Sequence, residues 1–273
     1  MTHQHSALAN KTRSGLDSGL DVLELLARER REMSLTEIAR ALGMSKSGVH
    51  SLLATLLRRE FVQRTQRAGY LLGIGAWQVG NAAPGLDIGH IAAPHMMRLA
   101  EEISEGVILG RLEGTDVVYL QLVESPQAVR VHASVGDRIP AYCTSTGLAL
   151  LSSLTNDELR ARIPQRLKAM TPATLTSREA VLREVETTRR RGYAINRGGW
   201  RYDVGGISVC IRDAAGTILG AICVAVPRYR MTKAWLAAVL SPLEETAAQI
   251  GREASPPQAL VKDLLRSPMK KRA

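Results

Sequence analysis

Apolar positions between Ser34 and Arg59 recur at the spacing of two short helices with a break between them. The segment reads SLTEIARALGMSKSGVHSLLATLLRR. Leu35, Ile38 and Leu42 share one helical face, and Val49, Leu52, Leu53 and Leu56 follow at i, i+3, i+4 and i+7. Ser34 with Glu37 three residues later is a capping box that starts the first helix. Gly43 stands where a left-handed residue ends it, and Ser45 can cap the second. Upstream, Leu16, Leu20 and Leu23 predict a further helix that completes a three-helix core. Downstream, Phe61–Thr65 and Gly69–Leu72 predict a hairpin across Gln66–Ala68.

The pattern then changes. Ile74–Val79 predicts a short helix, broken over 81–85, and Asp87–Glu102 a longer one, with Ile88, Ile91, His95 and Leu99 along one side and Pro94 inside it as a kink or restart. From Gly106 the period falls to two. Val107–Leu112 and Val117–Val123 read as strands around a turn at Gly114–Asp116, and Val129–Ala133 as a third. Helices are predicted over Thr144–Leu151, Asp157–Arg162 and Ser177–Arg191, and a brief strand over Tyr193–Ile195. Ile207–Arg212 and Ile218–Val226 follow as a hairpin, and Trp235–Glu253 as a closing helix with Pro242 disturbing its middle. Strands, then helices, then strands again imply an α+β domain on an antiparallel sheet. The chain divides into a winged unit at 12–74, a linker at 75–85, a second domain at 86–252 and a basic flexible tail at 253–273. A polar arm precedes the winged unit.

Two amphipathic helices at a tight turn are often nothing more than core. The preceding helix and the basic hairpin change the reading to a winged helix-turn-helix that binds double-stranded DNA. In such a motif the outward N-terminal side of the second helix meets base edges. Here that side carries Lys46, Ser47, His50 and Ser51. The small side chains permit close approach, and Lys46 can neutralise a phosphate. Arg64 and Arg67 on the wing are placed for the backbone or the minor groove.

Charge agrees with this. Lys and Arg number 36 against 26 Asp and Glu, a net charge of +10 that favours anionic partners. Aromatics are only 4% of the chain, so the cores must be built from Leu, Ile, Val and Ala. No apolar run is long enough for a transmembrane helix and the N-terminus lacks a signal-peptide core, so a cytoplasmic protein without membrane contact is expected. Cys143, Cys210 and Cys223 show no metal-ligand spacing, and no metal or cofactor motif is present. The expectation is therefore not an enzyme. A thiol-based redox sensor through these cysteines stays open as an alternative. A small-molecule enzyme fused to a DNA-binding head stays open as a weaker one, Cys143 lying eleven residues after His132.

Several segments in order resemble the IclR family of bacterial transcriptional regulators. They are SGLDVLELLA at 18–27, SLTEIARALGMSKSGVHSLLATL at 34–56, the wing ending YLLG, VGDRIPAYCTSTGLALL at 135–151, RRRGYAIN at 189–196 and ISVCIRDAAGTILGAICVAVP at 207–227. The resemblance implies an N-terminal winged helix-turn-helix and a C-terminal GAF/PAS-like effector-binding domain. It implies a homodimer or dimer of dimers on palindromic operator DNA, and effectors among small organic acids and aromatic catabolites. The chain departs from the family pattern at Ser51 and Ser18, where Arg is usual, and at Glu60, where Gly commonly ends the recognition helix. Asn196 replaces a frequent Asp, Gly206 a frequent Cys and Cys210 a frequent Pro.

The family's ligand positions map by this resemblance to Ser145, Thr146, Asn196, Gly206, Cys223 and Ala225. Ser145 and Thr146 open a predicted helix, whose free N–H groups and positive dipole end suit a carboxylate. Gly206 and Ala225 lack bulk, which predicts a roomier pocket suited to an aromatic or branched acid. Taken singly, each residue is equally well explained as a helix cap or core filler. Trp200, Arg201 and Tyr202 either line the pocket or form an ordinary surface cluster. The Arg189–Arg191 run is expected to cover a solvated helix end.

Overall fold

The computed structural model describes residues 14–81 and 88–254. The polar arm, most of the 81–85 break and all but the first two residues of the basic tail lie outside the described residues. The chain forms two compact units that divide between residues 86 and 87.

In the first unit, helices α1 (Gly15–Glu29), α2 (Leu35–Leu42) and α3 (Lys46–Arg58) precede a two-stranded antiparallel wing, β1 (Val62–Arg64) and β2 (Tyr70–Leu72), and helix α4 (Ile74–Asn81). The caps follow from the sequence. Ser34 and Glu37 form the reciprocal capping box, Gly43 ends α2 at φ +63°, and the Ser45 side chain accepts from Gly48 N at the start of α3. Glu60 takes φ +60° just beyond α3, the left-handed conformation that a glycine adopts most readily there.

One expectation fails in α1. Of the leucines at 16, 20 and 23 only Leu23 packs on the core: Leu16 is 73% exposed and Leu20 48%, while Ser18, Val22, Leu25 and Leu26 are buried. Both stripes have helical spacing, so periodicity could not choose between them. The capped ends of α2 and α3 fix the choice by presenting Ile38, Val49 and Leu53 to Val22, Leu25 and Leu26. Met33, absent from the predicted hairpin, bridges to Tyr70 and adds a short third rung to the wing.

The second unit is built on a six-stranded antiparallel sheet of order β5-β4-β3-β8-β7-β6. Its strands are β3 (Gly106–Glu113), β4 (Asp116–Val123), β5 (Arg138–Pro140), β6 (Ala194–Arg197), β7 (Val204–Arg212) and β8 (Ile218–Pro227). The predicted strand over Val129–Ala133 is a loop, with Val129 59% exposed. The edge of β4 is instead taken by β5, through Val117 opposite Ile139, so 129–133 has no strand left to pair with. Helices α5 (Ile88–Ile103) and α9 (Lys233–Glu253) run unbroken through Pro94 and Pro242. A proline removes one donor from the ladder, and the packing of both helices on the sheet outweighs that loss.

Helices α6 (Ser145–Leu151), α7 (Asn156–Arg162) and α8 (Arg178–Arg191) lie in the segment between β5 and β6. The central strands divide their side chains by size. Ile207, Val209, Ile211, Ile222, Val224 and Val226 join the α5 and α9 core. On the opposite face stand Gly206, Ser208, Cys210, Ala221, Cys223 and Ala225, the small-residue side that receives α6. All seven residues of α6 are buried. A Cβ on Gly147 would lie 2.1 Å from the Ala141 carbonyl, so only glycine lets α6 seat against the turn that precedes it.

The arginine run at 189–191 differs from expectation. Arg189 donates to the Ser152 and Leu154 carbonyls and to Asn156 Oδ1, which ties α8 to the loop between α6 and α7. Arg191 bonds the Tyr193 carbonyl and Glu184. These side chains staple the fold rather than cover a solvated end.

Candidate DNA-reading face and ligand cavity

The first two turns of α3 present Lys46, Ser47, His50 and Ser51 to solvent, while Val49 and Leu53 are buried behind them. Arg64 and Arg67 are likewise exposed on the wing and its turn. Among the described residues neither arginine, nor Lys46, has an ion-pair partner. Arg31 is different, meeting Glu37 at 2.9 Å. The Ser34 backbone N–H and hydroxyl, with the Arg31 contact adding to them, hold the Glu37 carboxyl at about 2, well below the usual carboxylate range. Charge is thus neutralised where α2 begins and left unneutralised along the outward side of α3 and the wing.

In the second unit a cavity of about 260 Å³ lies on the small-residue face of the sheet. Ser145, Thr146, Asn196, Gly206, Cys223 and Ala225 all border it, so the fold brings the six mapped positions together. Register explains how. Asn196 pairs with Gly206 across β6–β7, and Gly206 with Ala225 across β7–β8. Cys223 stands beside Ile108 across β8–β3.

The individual roles differ from a simple set of ligand donors. Ser208 donates to Ser145 Oγ at 2.9 Å, and Ser145 Oγ lies 3.4 Å from Cys223 Sγ. Burial pushes the Cys223 thiol up, and the hydroxyls of Ser145, Ser208 and Thr146 around it partly offset that push. These hydroxyls are therefore engaged with one another and with the thiol. A Cβ on Gly206 would sit 2.7 Å from Ser145 Oγ, so the missing side chain admits α6 instead of enlarging the cavity. Asn196 Oδ1 accepts from Gly199 N at 2.8 Å and shapes the loop that follows β6.

That loop brings Trp200 and Arg201 to the cavity, whereas Tyr202 is exposed and packs under Arg228 at 4.7 Å. The loop between β4 and β5 contributes Val131, His132 and Asp137, and β4 contributes Tyr119. Sequence reasoning missed Tyr119. Its signal was the alternation of β4, which puts Val117 and Tyr119 on one face, but alternation does not say which face holds a cavity.

Burial also bears on the thiols. Cys143 is pushed up to about 12 and Cys210 to about 11, and both donate to backbone carbonyls at 3.0 Å. Thiols held protonated are poor nucleophiles. Among the described residues no cluster of His, Cys, Asp and Glu can hold a metal ion, and no helix is long and apolar enough to cross a membrane.

Comparison with known proteins places both units. Residues 15–66 match the IclR helix-turn-helix domain, and residues 81–252 match the C-terminal domain of the bacterial transcriptional regulator IclR. The HTH-type transcriptional regulator XynR of Escherichia coli is 28% identical over 240 residues, covering 87% of this chain and 95% of that protein. The HTH-type transcriptional repressor AllR of Escherichia coli is 29% identical over 233 residues, covering 84% and 86%. Among solved structures, an IclR homologue from Microbacterium hydrocarbonoxydans complexed with 4-hydroxybenzoate superposes with a TM-score of 0.76 at 25% identity, covering 87% of this chain and 98% of that one. The Thermotoga maritima IclR gives 0.72 at 25% identity, covering 88% and 98%. With both of its units matched in order and its fold shared along most of its length, the chain belongs to the IclR family and is a DNA-binding transcriptional regulator.

Proposed function

We propose that the protein binds operator DNA as a homodimer or dimer of dimers and that a small organic acid in the second unit controls its affinity. The observation that carries this reading is the convergence of Ser145, Thr146, Asn196, Gly206, Cys223 and Ala225 on one cavity, in a chain whose other unit leaves cations unpaired on a DNA-facing helix. Lys46, Ser47, His50 and Ser51 read the major groove, and Arg64 and Arg67 grip the adjacent backbone or minor groove. The outward leucines Leu16 and Leu20 on α1, with Ile74, Trp77 and Val79 exposed on α4, support self-association through the first unit.

The winged unit at 12–74 and the effector unit at 86–252 divide the work, joined through 75–85. Two DNA-reading heads on one duplex must match the half-site spacing. An effector that binds two arrangements of the heads unequally shifts the population between them and so changes operator affinity. The cavity's lining of Ile108, Ile139, Val131, Trp200 and Ala225 suits an aromatic or branched body. The relative holding 4-hydroxybenzoate supports that class. The reading needs no cofactor and no catalytic step, and it places the protein with the chromosome in the cytoplasm. Burial of Cys143 and Cys223, and the half-buried Cys210 thiol held protonated against the Ala149 carbonyl, argue against redox control.

The test is DNA binding by the full chain to the region upstream of its own gene, titrated with salt and with acids from glyoxylate to 4-hydroxybenzoate. Sequence-selective, salt-dependent binding that responds to an aromatic acid is expected. Binding without sequence preference sinks the operator reading, and a response to glyoxylate-sized acids alone sinks the ligand class.

A further inference from the structure

The cavity contains a donor without a partner. Tyr119 is only 7% exposed and its side chain lines the cavity. Its backbone is satisfied: Tyr119 N donates to the Asp137 carbonyl at 3.0 Å, and Gly136 N donates to the Tyr119 carbonyl at 2.7 Å. Its hydroxyl has no hydrogen-bond partner among the described residues. Tyr142 shows the ordinary arrangement, with its hydroxyl donating to the Lys168 carbonyl at 2.8 Å. The hydroxyl is not among the sealed unpartnered atoms of the core, so it opens on the cavity, where water or a ligand can accept from it. For Tyr119 the place where that acceptor can stand is the cavity.

Charge around the phenol says what kind of acceptor. Two guanidiniums, Arg138 and Arg201, line the cavity against one carboxylate, Asp137, and one Asp137 oxygen already accepts Ser134 N at 2.8 Å. Arg138 reaches Asp116 only at 3.9 Å. Arg201 makes a single long bond, 3.4 Å, to the His132 carbonyl, and lies near enough to Tyr119 to bear on its ionisation. Burial dominates that balance and keeps the phenol protonated, hence a donor at neutral pH. The hydroxyls of Ser145 and Thr146, by contrast, are committed to the network around Cys223.

Resting on the reading of this cavity as an effector site, we propose that Tyr119 and Arg201 together hold the effector's carboxylate. The phenol O–H and the guanidinium both donate to it, and Trp200, next in the chain to Arg201, walls the body of the ligand. Tyr119 is then a specificity-determining residue that separates acids from neutral analogues of the same shape. The acid group sits between β4 and the loop after β6.

The experiment is isothermal titration of the full chain with benzoate, 4-hydroxybenzoate, phenylacetate and neutral benzamide, for the wild type, Tyr119→Phe, Arg201→Gln and the double variant. Wild-type protein should bind at least one acid saturably and benzamide not at all. Hydrogen bonds to charged groups are worth enough that each single variant should bind that acid about ten-fold more weakly or worse. If both side chains hold one carboxylate, the double variant loses less than the product of the single losses. Melting temperatures within a few degrees of wild type exclude misfolding, since Tyr119→Phe keeps the ring. Unchanged affinity in Tyr119→Phe overturns the assignment and leaves the acid-binding reading standing. A loss in Tyr119→Phe that simply multiplies with that of Arg201→Gln overturns the shared carboxylate. A wild type that binds none of the acids overturns the acid-binding reading and this assignment together.

Discussion

The two units solve opposite problems with the same kinds of side chain. The proposed DNA-reading face works through what it leaves outside: Lys46, Arg64 and Arg67 are exposed and, among the described residues, without ion-pair partners. The cavity works through what it has used up. Ser145, Ser208, Thr146 and Cys223 are tied to one another, and among the described residues the Tyr119 hydroxyl is a donor left over beside the weakly engaged Arg201 guanidinium. On an open surface every polar group is a candidate for contact, because water satisfies it until a partner arrives. Inside a cavity most polar groups belong to the fold, and the group without a partner is the informative one.

The contrast can be broken at three places. The largest effect is expected on the open face. Replacing Lys46 and His50 together by Ala should reduce discrimination between operator and random DNA by about a hundred-fold, since each base contact is worth about 1–3 kcal/mol. The melting curve should not move. Footprinting the upstream region checks this, and an unaltered footprint removes both residues from the reading helix.

Second comes the seat of α6 against the turn before it. Gly147→Ala places a methyl group within 2.1 Å of the Ala141 carbonyl and should destabilise the second unit by about 3 kcal/mol, at the upper end for overpacked sites. Thermal unfolding followed by Trp fluorescence reads it. A variant as stable as wild type would mean that α6 is not pressed against that turn.

The smallest effect lies at the start of α2. The Glu37 carboxyl is held at about 2 in the folded protein, against 4.5 ordinarily. Its folded value is depressed, so its contribution is present above the ordinary value and is lost as pH falls from about 4.5 toward 2. Glu37→Gln removes that contribution at every pH, so it should lower the neutral plateau and flatten part of the acid limb. An acid limb identical to wild type would show that the capping box is not coupled to folding.

How much of this was legible in the sequence depends on range. The winged unit was readable because its signals are local: Ser34, Gly43 and Ser45 fix three helix termini within twelve residues. Even there, periodicity alone put Leu16 and Leu20 in the core beside Leu23, because Leu16–Leu20–Leu23 and Ser18–Val22–Leu25 have the same spacing and only packing against α2 and α3 leaves the first two outside. In the second unit the strands of β3, β4, β7 and β8 could be read from alternation. Their order could not, since β3 lies beside β8, more than a hundred residues away in the chain. The strand expected at Val129–Ala133 failed for the same reason: β-propensity is local and pairing is not. The six cavity positions came from family resemblance, and nothing in their own neighbourhood would have joined Ser145 to Gly206. Tyr119 had only the alternation of β4, which does not say which face holds a cavity.

The division of the central strands by size has a consequence for how such a regulator can change. Ile207, Ile222 and Val224 anchor the sheet to α5 and α9, while the cavity is bordered by Gly206, Cys223 and Ala225 on the other side of the same strands. Adjacent positions in one strand therefore answer to different demands. Enlarging Ala225 takes space from a ligand and leaves the Ile207–Val224 packing where it was. A sheet arranged in this way can acquire a new chemical vocabulary one small residue at a time, with its architecture held constant behind it.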